Sequence, residues 1–323
     1  KYLLNQKDYS NGFSDRFEVF TYSKDNNQYI ISPGVNTYLI YIIKITDCKL
    51  FKSLKGHNEC ISVLNYYQNK KEEYILSVDI KGILIIWDIN LNFKIKFKIN
   101  TNEYVIYSSI ILFNSNKEDN YIITSNSYKS EFENSAYSKI YSLKTGKFIK
   151  KINNTNMNST YYLTSFFDSI DNSYYLIECC LGKISIINLT KNELYHEFIS
   201  ENEDEAFTKA FTYIKDNIYY LCSASMHGEI KFWDIKNKKL ERSILTGGYN
   251  LLSIIPWSEQ YIIFADNNSN KSFKVLDMDQ MRIISSIGGK HQKPIICIKI
   301  IDHNEYGKCV ITSSTDKTII IWN

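Results

Sequence analysis

Thr312-Ser313-Ser314-Thr315-Asp316-Lys317-Thr318-Ile319-Ile320-Ile321-Trp322-Asn323 ends the sequence. It reads as a polar turn followed by a short apolar strand that stops at an aromatic residue. Strand runs ending on an aromatic or aliphatic residue recur upstream at Ile43, Trp87, Tyr141, Ile187, Trp233 and Leu276. Counting Trp322, the steps between successive endpoints are 44, 54, 46, 46, 43 and 46 residues. Three endpoints are followed by Asp or Asn: Trp87-Asp88, Trp233-Asp234 and Trp322-Asn323. Self-similarity at a fixed period of this size marks a repeat architecture, in which a unit buries its apolar faces only by stacking on its neighbours.

Each repeat divides into four short strands. In the second, Gly56-His57 opens the unit, 60–64 is the inner strand, 74–78 the second, 83–87 the third and 93–99 the outermost. There Lys94, Lys96 and Lys98 alternate with Phe93, Ile95, Phe97 and Ile99, a period of two with one wet face. Lysines on an outer strand also discourage edge-to-edge pairing. The seventh repeat begins at His291, and the sequence stops after its third strand. Residues 1–4 (Lys1-Tyr2-Leu3-Leu4) are free to supply the missing strand and leave no open edge.

These features resemble the WD40-repeat family over essentially the whole chain. The likeness is closest in the last repeat, and in the second, where His57 stands thirty residues before Trp87. The resemblance implies an all-β fold: a single domain, 1–323, built as a seven-bladed β-propeller of four-stranded antiparallel blades. Third strands would end at 43, 87, 141, 187, 233, 276 and 322, with the N-terminal strand completing the last blade. It also implies a buried tetrad of His, Ser or Thr, Asp and Trp, here His291, Thr312, Asp316 and Trp322. Buried polar groups of these kinds must satisfy one another, so the Thr, His and Asp trio is read as structural and not catalytic. Six residues before the endpoint, other repeats carry Lys81, Leu181 or His227 instead of Asp, and the first, third, fourth and sixth lack the Trp. Most blades are therefore expected to be held by apolar packing alone.

With 44% hydrophobic residues, the chain of 323 suits a packed array, and its net charge of +3 does not signal a nucleic-acid partner. Abundant Asn, Lys, Ile and Tyr beside only three arginines read as codon bias. Seven cysteines without CxxC spacing suit reduced thiols in the cytosol or nucleus, not a disulfide frame or a zinc site. No apolar run is long enough to span a bilayer, and the first residues do not read as a secretory leader. A first residue other than Met, and an end one residue past Trp322, lead us to expect a propeller carried within a longer polypeptide.

Signs of chemistry are poor. Thr246-Gly247-Gly248-Tyr249 lacks the Lys and Ser or Thr of a phosphate loop, and the five histidines show no metal spacing. Asp302-His303 reads as polar surface. No enzyme activity, cofactor or metal is expected.

The resemblance implies that function lies on a surface, at the blade ends that carry the loops between blades and the turns between second and third strands. The long step into the third repeat places its excess at 126–138, where Tyr128, Glu131, Phe132, Glu133 and Tyr137 would form an arm for a partner. Glu201, Glu203, Asp204 and Glu205 group between the fourth and fifth repeats and would attract a basic peptide. At the opposite ends Lys144, Lys147, Lys236, Lys238 and Lys239 are spread over separate blades. The expected role is a non-catalytic, cytoplasmic or nuclear scaffold, monomeric as a domain, that holds protein partners in a larger assembly. The alternative is a phosphoinositide- or membrane-binding propeller; that class carries an adjacent Arg pair, and Arg16, Arg242 and Arg282 have no Arg neighbour.

Overall fold

The structure, a computed structural model, describes residues 18–34, 37–103, 106–112, 120–125, 137–153, 159–265 and 271–323. Its regular elements are all β-strands, arranged in seven antiparallel meanders. The first sheet is β1 (Phe20–Lys24), β2 (Asn27–Pro33), β3 (Leu39–Lys44) and β4 (Leu50–Lys55); the second is β5 (Ile61–Gln68), β6 (Glu73–Asp79), β7 (Ile83–Asp88) and β8 (Lys94–Asn100). The third comprises β9 (Ser109–Leu112), β10 (Tyr121–Ser125), β11 (Tyr137–Ser142) and β12 (Phe148–Asn153). The fourth comprises β13 (Thr160–Asp168), β14 (Ser173–Cys180), β15 (Lys183–Asn188) and β16 (Glu193–Ile199). The fifth runs β17 (Phe207–Lys215), β18 (Ile218–Ser225), β19 (Glu229–Asp234) and β20 (Lys239–Leu245). The sixth runs β21 (Ser253–Pro256), β22 (Tyr261–Ala265), β23 (Phe273–Asp277) and β24 (Arg282–Ile287). Among the described residues the seventh has three strands, β25 (Ile295–His303), β26 (Gly307–Ser314) and β27 (Ile319–Trp322). This strand order is that of a seven-bladed β-propeller. Residues 1–4, expected to complete the last blade, lie outside the described residues.

All seven endpoints read from the sequence fall in the third strand of their sheet. Among the described pairings a shared backbone event marks five of them. The register between third and fourth strands slips at Ile43, Trp87, Tyr141, Ile187 and Trp233, leaving one extra residue on the fourth strand. Such a bulge bends and twists the pair at that point. In the second sheet the extra residue is Lys96, since Trp87 pairs with Ile95 and Ile86 with Phe97. The slip resets the alternation of β8, so the single wet face expected there does not form. Ile95 is exposed, while the Lys96 ammonium lies 4.4 Å from the centre of the Tyr74 ring.

Second strands are largely covered on both faces and mostly apolar, as in β14 (SYYLIECC), where every residue is buried, Glu178 included. Fourth strands such as β20 are largely exposed. The chain divides into two compact units: one takes residues up to Ile106 with Ile255–Val275 and Ser285–Asn323, the other Tyr107–Ile254 with Leu276–Ile284. In the first unit, β1–β4 packs on the second sheet through Tyr22, Ile31, Ile40 and Ile42 against Ile75, Ile85 and Trp87. The seventh sheet packs on the first through Cys297, Ile301 and Ile311 against Val19, Ile30 and Ile45, so the last repeat reaches the earliest described strands. In the second unit, Ile177, Ile184 and Phe198 of the fourth sheet meet Phe207, Leu221 and Trp233 of the fifth.

Candidate functional site

Antiparallel register decides which polar side chains meet. In the second sheet Ile75 pairs with Trp87, so Ser77, two residues on, lies on the same face diagonally opposite the indole. The seventh sheet repeats this with Val310, Trp322 and Thr312, and the fifth with Leu221, Trp233 and Ser223. In all three the indole N–H donates to the hydroxyl ten residues earlier at 2.8 Å.

The seventh sheet joins the four residues singled out in the sequence. His291 Nε2 lies 2.7 Å from Thr312 Oγ1, and His291 Nδ1 lies 3.2 Å from Asp316 Oδ2. Burial lowers the His291 pKa, which leaves the ring neutral at pH 7. The bonding then has one consistent direction: indole N–H to Thr312, Thr312 O–H to Nε2, and Nδ1–H to the carboxylate. Burial works to raise the Asp316 carboxyl, but hydrogen bonds from the Thr318 hydroxyl, the Gln292 and Thr318 backbone N–H groups and His291 outweigh it, so its pKa is lowered.

A second complete network sits in the second sheet, where Lys81 had suggested none. His57 Nε2 is 2.7 Å from Ser77 Oγ, and His57 Nδ1 is 3.0 Å from Asp79 Oδ2. Asp79 Oδ1 also accepts from the backbone N–H groups of Lys81 and Ile83, each at 3.0 Å, and so clamps the turn between β6 and β7. The carboxylate stands eight residues before Trp87, not six, and a fixed offset from the tryptophan therefore misses it. The ten-residue hydroxyl–indole spacing was the legible signal. Gly56 completes the packing, for a Cβ there would approach Trp87 Cη2 to 2.7 Å.

The fifth sheet keeps the indole–hydroxyl link and replaces the imidazole–carboxylate pair with an ion pair. Lys231 Nζ is 2.6 Å from Glu205 Oε2 and 3.2 Å from Glu229 Oε2. Both Lys231 and Glu205 are buried. Burial tends to raise the Glu205 pKa, but bonds from Lys231, Ser200 and Ser225 prevail and lower it. Glu205 therefore does not stand at the open rim beside its neighbours; it is a core residue. Glu201, Glu203 and Asp204 are exposed in the loop between β16 and β17.

The other expected arm divides. Tyr128, Glu131, Phe132 and Glu133 lie outside the described residues. Tyr137 opens β11 and is buried, with the Lys151 ammonium 3.9 Å from its ring centre, so it is not part of an exposed arm. His303 is likewise not surface: it is buried, and its Nδ1 accepts from the backbone N–H groups of Glu305 and Tyr306. Of the dispersed lysines, Lys238 bonds the Tyr195 carbonyl and Lys239 pairs with Glu241 at 3.0 Å. Burial pushes the Cys179 thiol well up and Cys180 up to about 12, so neither is a thiolate at neutral pH. No helix among the described residues is long and apolar enough to cross a membrane.

The family model described as WD domain, G-beta repeat matches residues 283–323, the stretch that holds β25–β27 and the His291 network. No curated protein matches the chain. The last repeat thus matches the WD40 family model, and the sheets before it follow the same blade plan.

Proposed function

We propose that this chain is a non-catalytic scaffold that holds protein partners in a larger assembly, acting as a monomeric domain in the cytosol or nucleus. WD40 propellers generally serve as protein-interaction scaffolds, and the match at 283–323 brings that expectation to this chain. One observation supports it above others. The His, Asp and Ser or Thr groups that invite a catalytic reading are buried and bonded to one another and to tryptophan. Groups so engaged stabilise turns and are not presented to a substrate. What remains accessible is the loop surface, including Glu201, Glu203 and Asp204.

The test is affinity purification with the intact chain under native conditions, followed by reconstitution of each recovered protein with purified chain. Partners that bind directly and stoichiometrically support the scaffold reading. A chain that recovers no protein, yet binds anionic vesicles in a salt-sensitive way, would favour the membrane-binding alternative.

A further inference from the structure

Three loops of the second unit meet at the ends of the fourth and fifth sheets. The first is 200–206, between β16 and β17; the second is the β18–β19 turn at Met226-His227-Gly228; the third, 246–252, follows β20. Asn202 Nδ2 lies 3.4 Å from His227 Nδ1, and Asn250 N–H donates to the Met226 carbonyl at 2.6 Å. A Cβ on Gly228 would come within 3.3 Å of Tyr249 Cα. The three loops therefore form one continuous surface.

Its chemistry is two-fold. Met226 is 42% and Tyr249 59% exposed, large apolar side chains presented to solvent from rigidly bonded turns. Thr246 Oγ1 holds the Gly228 carbonyl at 2.8 Å, and Leu251 N–H bonds Ser225 O at 3.1 Å. Beside them stand the exposed Glu201, Glu203 and Asp204. The segments 199–206, 225–229 and 245–251 contain no Lys or Arg, although the chain as a whole carries a net charge of +3. Lys231, just beyond, is buried between Glu205 and Glu229. These three segments thus carry a net negative charge while the sequence as a whole is positive.

We propose that this surface binds a basic segment of a protein partner, with lysine or arginine facing Glu201, Glu203 and Asp204 and an aliphatic or aromatic side chain on Met226 and Tyr249. The proposal rests on the scaffold reading and names the partner chemistry. An adaptable thioether and an amphipathic phenol suit an apolar anchor. The carboxylates steer the basic residues and exclude acidic competitors. Preformed loops keep the ordering cost of binding low.

Fluorescence anisotropy on the full chain tests it with three labelled peptides: one alternating Lys with Leu and Phe, one with Glu for Lys, and one with Ser for the apolar residues. The first is expected to bind tightest and to weaken as salt is raised. Neutralising the rim (E201Q/E203Q/D204N) is expected to weaken it about tenfold, since each exposed pair contributes little alone. The M226A/Y249A variant is expected to weaken it by a similar factor of about ten. All substituted residues are exposed, so matched thermal melts are the check on folding. Equal binding by wild type and both variants, or tight binding of the Glu peptide, overturns the proposal. If purified partners are recovered and persist on both variants, this surface is wrong while the scaffold reading stands; if no partner is recovered by the wild type, the scaffold reading itself falls.

Discussion

The second and fourth sheets share a backbone plan and differ in what fills it. Both slip register at the endpoint of the third strand, at Trp87 and at Ile187. In the second, the endpoint indole begins a chain through Ser77 and His57 to Asp79. In the fourth, Ile187 pairs with Leu176, and the residue two further on, Glu178, is a fully buried carboxylate that accepts from Ser138 of the third sheet, with an aliphatic endpoint in place of the indole. The bulge is a property of the backbone and tolerates either filling. The polar network is an addition to it, and it fixes the turn because Asp79 holds His57 and two backbone N–H groups at once.

The comparison is most strongly strained by Trp87→Ala, which removes a buried indole packed among Ile75, Ile85 and Gly56 and leaves Ser77 without its donor. A loss of about 4 kcal/mol is expected from urea denaturation. Asp79→Ala follows, at about 3 kcal/mol, because two backbone N–H groups and His57 lose their acceptor in a buried turn. If Asp79→Ala costs no more than an exposed substitution, the network contributes nothing beyond the packing seen in the fourth sheet.

Acid probes the imidazole–carboxylate networks directly. The His291 pKa is lowered by burial, so the unfolded chain takes up a proton first, and stability is lost as pH falls through the ordinary histidine value near 6.5. Asp79 and Asp316 have lowered pKa values as well; burial opposes this but is outweighed by their hydrogen bonds. Their contribution is present above about pH 4 and disappears as pH drops further toward their folded values. Thermal melts across this range should show two stages of loss, the upper one diminished in His291→Gln. Ile187→Val is expected to cost about 1 kcal/mol at every pH, since it removes one buried methylene and no titrating group. Smallest of all, Glu203→Gln should leave the melting temperature unchanged within about 0.5 kcal/mol, as befits an exposed loop residue.

Much of the architecture is legible before folding. The endpoints lie in third strands because a strand buried on both sides needs an unbroken apolar run, and the turns that follow it need polar residues. The His291 network was legible for a related reason: its members stand at offsets set by antiparallel pairing. Its twin at His57 was missed because Asp79 occupies a different place in its turn from Asp316, while both carboxylates reach the same imidazole atom. Glu205 and Tyr137 misled for another reason. Charge and aromaticity suggested exposed groups, yet Lys231 lies twenty-six residues from Glu205 on another strand, and Lys151 reaches Tyr137 across the sheet.

The sequence by itself determined the period, the four-strand unit and the hydroxyl–indole spacing, because these depend on alternation and pairing between strands close along the chain. Only the tertiary structure decided which carboxylates are buried and which are offered to solvent. Glu205 and Asp204 are adjacent and chemically similar, but one is enclosed with Lys231 and the other faces water. That choice is made by desolvation and by partners brought from distant strands, and neither is encoded in local spacing.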